Sequence, residues 1–409
     1  MSFTHVGKPR FELAEVVRKF GKQLIRNQKL SPQQNKALTH IMQCRTVSLG
    51  GHQDVCDHCG NIIYSYNSCG DRHCPKCQGN KQALWIQKLG QFTLAVNHYH
   101  IIFTVPHCLN KICLWNAALY YNLLFKAVWD TLRSFGYTHF GVESGAVAVL
   151  HTWGQNLSLH PHIHCIVPAA GYSLKGRWKN IGKNEKYLYP VPQLSAAFKG
   201  KFLDSLKRKL RKPDSSAEPG RSMLDAFDRD IQKAYKTKWV VFSEASMTQA
   251  KYVIRYLGQY THRVAISNRR IINISNTHVT FLAKDYRDRA QKKPVKLKGA
   301  EFLRRFCQHI MPKRFVRIRR YGIYNHTVIR NLDLQFTTTV EQSEMQPATS
   351  SQTEPDGIED AGDLIKPIGD TGIRKCPYCK KGKLLVIRVI PRIRSPAGHL
   401  PTILFSMLQ

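Results

Sequence analysis

Six of the twelve cysteines in this 409-residue chain fall in one short stretch: Cys44, Cys56, Cys59, Cys69, Cys74 and Cys77. A segment so dense in thiols is folded by what the thiols bind rather than by an apolar core. Cys56-Asp-His-Cys59 and Cys74-Pro-Lys-Cys77 are Cys-x-x-Cys knuckles separated by Gly60 to His73. Each supplies two thiolates from a tight turn, and two such pairs complete a tetrahedral zinc site. The competing reading is a disulfide framework. It is disfavoured because the N-terminus lacks the apolar segment of a signal peptide and cytoplasmic thiols stay reduced. A structural zinc on Cys56, Cys59, Cys74 and Cys77 is expected, with Cys44, His52, Cys69 and His73 as a candidate second set. Four thiolates leave no open coordination position, so any chemistry must come from elsewhere. A weaker knuckle, Cys376-Pro-Tyr-Cys379, has no partner pair nearby. It is either completed by His399 or a decayed site.

Charge narrows the partner. Sixty-two Lys and Arg against 27 Asp and Glu leave a formal charge of +35. A surplus that large works against compaction and points to a polyanion, with nucleic acid ahead of a membrane surface. No apolar run approaches the roughly 18–20 residues of a spanning helix. The expectation is a cytoplasmic, nucleoid-associated protein. The surplus is uneven. Thr339 to Asp370 carries eight acids against Lys366 alone and has no aromatic residue. That composition reads as a disordered acidic linker.

Two central segments carry the chemistry. Ala146 to Thr152 is an apolar, β-branched run that predicts a strand, followed by a turn over Asn156 to His160. Then comes His160-Pro-His162-Ile-His164-Cys-Ile-Val-Pro168. Residues two apart on a strand share a face, so His160, His162 and His164 line one side while Ile163, Cys165 and Val167 pack on the other. Imidazoles spaced this way can share a metal ion. Further on, Ser246 and Gln249 have the spacing of a capping box, ahead of a helix over Lys251 to Arg263. Tyr252, Tyr256 and Tyr260 recur at i, i+4 along one edge of its apolar face. Such a stripe is ordinarily core. Beside a metal on a basic scaffold, it also suits phosphodiester transesterification, with the metal polarising phosphate and a tyrosine hydroxyl attacking phosphorus.

These motifs together resemble a known family. His162-Ile163-His164 is similar to the signature of HUH single-strand endonucleases. Tyr256-Leu-Gly-Gln-Tyr260-Thr-His-Arg-Val-Ala-Ile-Ser-Asn268 resembles the paired-tyrosine motif of rolling-circle transposases typified by insertion sequence 91. The zinc segment, Phe103-Thr-Val-Pro-His107, His151-Thr-Trp-Gly154 and Phe315 to Gly322 are similar as well, over roughly Phe11 to Ile329. Gly70-Asp71 departs from an expected Arg-Asn, and Arg314 stands where a glycine is usual. The resemblance implies nicking and strand transfer of single-stranded transposon ends through 5′-phosphotyrosine intermediates. It implies Tyr256 and Tyr260 as nucleophiles, with Tyr252 left to packing. It also implies His162 and His164 as ligands of Mg²⁺ or Mn²⁺. The third ligand is drawn from His160, Gln155, His151 or Gln259, with His160 favoured because it shares the strand face.

The fold class implied is α+β: an HUH-type central antiparallel sheet with helices, preceded by a small helical and zinc-ribbon domain. The expected domains are 1–90 helical and zinc-binding, 91–330 catalytic, 331–375 acidic linker, and 376–409 basic tail. Helices are expected over Leu13–Ile25, Ser31–Met42, Trp115–Phe135 and Glu301–Met311. Strands are expected over Tyr99–Val105, Ala146–Thr152, His162–Val167, Trp239–Phe242 and Val279–Ala283. An Arg-rich strand or arm, Phe315–Arg320, offers Arg317, Arg319 and Arg320 to DNA phosphates. Two other classes stay open: a plasmid or phage replication initiator using the same chemistry, and a non-catalytic zinc-ribbon regulator in which the tyrosines are core.

Overall fold

The computed structural model describes residues 9–78, 96–182, 188–211, 219–247, 263–286, 288–325, 327–328 and 374–393. Tyr252, Tyr256, Gln259 and Tyr260 of the expected helix, the acidic stretch Thr339 to Asp370 and His399 all lie outside them. The chain divides into two compact units, one of Met1–Leu84, His262–Ile310 and Ser343–Gln409, the other of Trp85–Thr261 and Met311–Gln342.

In the first unit, helix Leu13–Asn27 buries Leu13, Val16, Val17, Phe20 and Leu24 at helical spacing. Helix Pro32–Gln43 begins as its sequence predicts. The Gln34 N–H donates to Ser31 Oγ at 3.2 Å, and the Ser31 N–H donates to Gln34 Oε1 at 2.9 Å. A four-stranded sheet runs in the order Arg374–Lys375, Lys383–Ile390, Gly51–Cys56, Ile62–Tyr66. A second sheet is formed by Ile271–Ile274, His278–Asp285 and Gln291–Lys298, followed by helix Gly299–Cys307.

The catalytic domain expected over 91–330 is therefore interrupted, because 262–310 packs with the N-terminal helices. The Leu13 N–H donates to Asn268 Oδ1 at 3.0 Å, and Gln34 Nε2 donates to the Cys307 carbonyl at 2.9 Å. Gly299 lies so close to the Phe20 ring that a Cβ there would sit 2.2 Å from it. Contacts between residues more than 250 positions apart leave no periodic trace in sequence. The basic tail is likewise no separate domain, since Lys383–Ile390 pairs antiparallel with Gly51–Cys56.

The second unit is built on a five-stranded sheet in the order Ile318–Gly322, Gly145–Trp153, Leu159–Pro168, His98–Thr104, Val241–Met247. Every neighbouring pair is antiparallel. One face is the core: Tyr99, Ile101, Phe103, Ala148, Leu150, Ile163, Cys165 and Val167 pack against Tyr120, Leu124, Phe125, Phe198 and Phe202. The last five belong to helices Ala117–Phe140 and Val191–Arg211. A fully buried Phe or Leu stabilises by about 1.5–3 kcal/mol, so this face holds the unit together. The fold is α+β, as expected.

The remaining departures are local. The expected helix Trp115–Phe135 begins two residues later, as Ala117–Phe140, after a short helix Asn110–Trp115, because Asn116 leaves helical geometry and caps the longer helix by accepting from the Leu119 N–H at 3.0 Å. The expected strand Trp239–Phe242 begins at Val241 and runs through Ser246 to Met247. The arm forms its strand later, at Ile318–Gly322, after Arg314 takes a φ of 59°. This left-handed conformation favours glycine, the residue usual there in the resembling family.

Candidate metal centres

The sheet face opposite the core carries imidazoles among aliphatic side chains. Register sets it: His162 faces His151 across one pair and Thr104 across the other, while His164 faces Val149 and Ile102. His100 pairs with Glu244 and Ile166, and Arg320 with Val147. Directly opposed residues share a face, so the imidazoles, Glu244 and Arg320 all lie on this side.

His151, His162 and His164 form one cluster, each offering a ring nitrogen, with the three nitrogens within 4.8 Å of one another. Their ring centroids are 5.5 Å apart for His151 and His162, 4.6 Å for His151 and His164, and 5.0 Å for His162 and His164. His160 does not join them. It shares the face but lies four residues from His164, about 13 Å along a strand, too far for one ion. Its ring sits 5.1 Å from both His162 and His107. Burial, with His107 beside it, lowers the His160 pKa. The third imidazole therefore comes from the neighbouring strand, where cross-strand Cβ atoms are only about 5 Å apart.

Hydrogen bonds orient two of the rings. His162 Nδ1 lies 2.7 Å from the His160 carbonyl, which can only accept, so Nδ1 carries the proton and Nε2 the lone pair. His100 Nδ1 lies 2.7 Å from a Glu244 carboxylate oxygen, and His100 Nε2 lies 2.9 Å from His164 Nδ1. With neutral rings, the carboxylate fixes the proton on His100 Nδ1. His100 Nε2 then accepts from His164 Nδ1–H, which puts the His164 lone pair on Nε2. A carboxylate–His–His line of this kind is how proteins orient metal-binding imidazoles. Sequence reading missed His100 and Glu244. The one available signal was the alternation His98-x-His100-x-Ile102 on an expected strand.

The expected DNA-contacting arginines divide between the faces. Arg319 turns to the core side, its guanidinium 4.2 Å from the Phe125 ring centre and 5.3 Å from that of Phe315. Arg317 is buried. Arg320 is the one on the histidine face. The three are thus not presented together as an exposed strip.

The cysteines assort differently from expectation. Cys44, Cys69, Cys74 and Cys77 form one quartet, and Cys56, Cys59, Cys376 and Cys379 another. The expected set Cys56, Cys59, Cys74 and Cys77 does not form. Cys56 and Cys59 lie at the turn of the hairpin Gly51–Cys56 and Ile62–Tyr66, whereas the first quartet lies beyond its open end. There, the Arg45 N–H donates to the Asn67 carbonyl at 3.1 Å. Five or six residues of strand, about 17–20 Å, separate the two knuckles. The expected histidines are also elsewhere. His52 Nε2 is 2.6 Å from the Arg374 guanidinium, and His73, whose backbone N–H donates to Asp71 Oδ1 at 2.8 Å, is not in the quartet.

Tetrahedral zinc with bonds of 2.3 Å places its sulfurs about 3.8 Å apart. Sγ separations are 3.5 Å for Cys44–Cys77 and Cys69–Cys77, and 3.7 Å for Cys56–Cys379 and Cys59–Cys376. The donor sets fit zinc. Hydrogen bonding to Cys69 and Cys74 brings Cys44 down to about 7, and sharing with Cys44 and Cys69 lowers Cys77 further. The same sharing raises Cys69 and Cys74. Four sulfurs this close ionise together only beside a cation. In the second quartet the Asn61 backbone N–H lowers Cys59 to about 6, and burial raises Cys56 to about 11.

The chain is similar to known transposases. A family model described as "Putative transposase" matches residues 145–331, and one described as "Transposase zinc-binding domain" matches residues 16–105. The "Putative transposase y4qJ" of Sinorhizobium fredii is 36% identical over 392 residues, covering 94% of this chain and 97% of that protein. The "Transposase for insertion sequence element IS801" of Pseudomonas savastanoi pv. phaseolicola is 27% identical over 298 residues, covering 72% and 70%. No solved structure matches.

Proposed function

The chain belongs to the insertion sequence 91 family of transposases, and on that premise we propose that it nicks and rejoins single-stranded transposon ends through 5′-phosphotyrosine links, in the manner of the HUH enzymes. The observation that carries this is the trio His151, His162 and His164 on the face of an antiparallel sheet opposite its core. In this reading His162 and His164 would bind the ion through Nε2, the nitrogen left as acceptor once Nδ1 carries the proton. Three imidazoles suit Mn²⁺ better than Mg²⁺. Bound there, the ion would act as a Lewis acid on the scissile phosphate.

The nucleophiles in this reading are Tyr256 and Tyr260. The oxygen of one attacks phosphorus, a tyrosyl–phosphate bond forms, and the 3′ oxygen leaves and takes up a proton. That 3′ hydroxyl can prime synthesis. The second tyrosine attacks the target or the other end, and attack of a 3′ hydroxyl on each phosphotyrosine restores the tyrosine and joins the strands. Arg320, on the histidine face, is the arginine best placed for phosphate. Zinc is structural, and its first site is the quartet Cys44, Cys69, Cys74 and Cys77, inside the segment that matches the zinc-binding domain.

The test is a denaturing gel after incubation with Mn²⁺ and a single-stranded transposon end. Wild type should form a covalent protein–DNA adduct, and Tyr252→Phe should match it. Each of Tyr256→Phe and Tyr260→Phe should bind DNA yet fail to complete transposition, because the ring is kept and the attacking oxygen is gone. An adduct still formed by the Tyr256→Phe/Tyr260→Phe double variant would overturn the assignment.

A further inference from the structure

The knuckle near the C-terminal end has no partner within its own stretch of sequence, yet it sits against one more than 300 residues away. We propose that Cys56, Cys59, Cys376 and Cys379 hold a second zinc ion, and that this ion fastens the strand Lys383–Ile390 onto the N-terminal ribbon as an integral part of it. The segment matched by the zinc-binding family model ends at residue 105, so it contains half of this site.

The two knuckles are built alike. In one, Gly60 follows Cys59 with a φ of 69°, and its N–H donates to the Cys56 carbonyl at 3.0 Å. In the other, Lys380 follows Cys379 with a φ of 58°, and its N–H donates to the Cys376 carbonyl at 2.9 Å. Each turn also aims an N–H at sulfur. Asn61 Nδ2 donates to Cys59 Sγ, and the Gly382 backbone N–H donates to Cys379 Sγ, both at 3.3 Å. Two turns of one design facing each other, with four sulfurs within 4.8 Å, form a tetrahedral thiolate site. The approach is close. A Cβ on Gly382 would lie 2.4 Å from Cys56 Sγ.

Apolar burial does not explain why this strand stays. Leu385, Val386, Ile387 and Val389 are each more than half exposed. The ladder to Gly51–Cys56 adds backbone hydrogen bonds, and Arg374 donates to the fully buried Asp54 carboxylate at 2.8 Å. Against these stands the entropy of closing a loop of over 300 residues. Zinc–thiolate bonds, which contribute folding free energy directly, are the missing attachment. Cys59 is exposed and Cys379 partly so, whereas Cys44, Cys74 and Cys77 are buried. The tail zinc is therefore the more accessible to a chelator.

The test uses the full chain, gel-filtered in metal-free buffer, with zinc counted by elemental analysis and amide hydrogen exchange read over 383–390. Wild type should carry two zinc ions per chain. Cys376→Ser/Cys379→Ser and Cys56→Ser/Cys59→Ser should each carry one, and in both the amides of 383–390 should lose protection while helix Pro32–Gln43 keeps its own. A chelator should release zinc in two phases, the strand's protection falling with the first. One zinc per chain in wild type, or two retained in Cys376→Ser/Cys379→Ser, would overturn the proposal. So would a disulfide across the quartet, seen as missing free thiols in unreduced protein. If the variants fail to fold, the wild-type zinc count and the chelation phases decide.

Discussion

His164 shows how one side chain is prepared by others it does not resemble in role. Its Nδ1 meets His100, and His100 meets Glu244, so a carboxylate two residues removed sets which nitrogen faces the cluster. Replacing Glu244 or His100 by Ala should weaken Mn²⁺ binding by about 10–100-fold, the usual cost of losing an outer partner of a metal-binding imidazole. Fold and DNA affinity should be unchanged. Titration of Mn²⁺ followed by electron paramagnetic resonance reads this directly, and an unaltered affinity in both variants would remove the positioning role. Sequence showed the alternation that puts His162 and His164 on one side of a strand. It favoured His160 as the third ligand, whereas the cluster takes His151, because that choice depends on which residue a neighbouring strand places opposite.

Gly322 and Gly299 are among the glycines at which elements approach too closely for a side chain. Gly322 has a φ of 55°, and a Cβ there would lie 1.9 Å from the Ser144 carbonyl oxygen. Gly322→Ala should destabilise the second unit by about 2 kcal/mol or more through backbone strain and overpacking, read as a lower urea midpoint with unchanged slope. Gly322 ends the edge strand paired with the strand of His151, so nicking should fall with it. Gly299→Ala forces a Cβ into the Phe20 ring and should loosen helix Gly299–Cys307 from Leu13–Asn27 in the first unit. Wild-type stability in both variants would mean that these close approaches relax freely. The element types themselves were legible: capping at Ser31, apolar periodicity in Leu13–Asn27, alternation in the histidine strand. The start of the helix was placed two residues early, at Trp115, because the apolar pattern runs on through the Asn116 cap.

At the scale of the molecule, charge sets how the protein meets DNA. With a formal charge of +35, binding should be dominated by counterion release. Affinity for single-stranded DNA should fall about 10²–10⁴-fold between roughly 50 and 200 mM salt, as for about six to ten phosphate contacts. His162→Ala/His164→Ala should keep this dependence in a filter-binding assay while losing nicking, since the imidazoles would hold the metal ion at the scissile phosphate and the Lys and Arg cations contact the backbone. A salt slope near zero would place binding on other contacts. Nicking at the wild-type rate would make the histidine strand structural. Among the described residues no helix is long and apolar enough to cross a membrane.

Residue chemistry and local period were sufficient to predict zinc binding by the Cys-x-x-Cys knuckles, a histidine strand and a basic chain suited to a polyanion, and to show motifs that resemble one transposase family. Those properties depend on residue type and on spacings of two to four, which the backbone geometry of a strand, helix or turn converts directly into direction. Which residues share a centre was decided by the tertiary structure. Cys56 and Cys59 turn away from Cys74 and Cys77 because a hairpin's length lies between them, and they meet Cys376 and Cys379 because the last strand pairs with the first. His151 replaces His160 for the same reason. A metal site needs ligands within a few ångströms, and adjacent strands supply that proximity where four residues along one strand cannot.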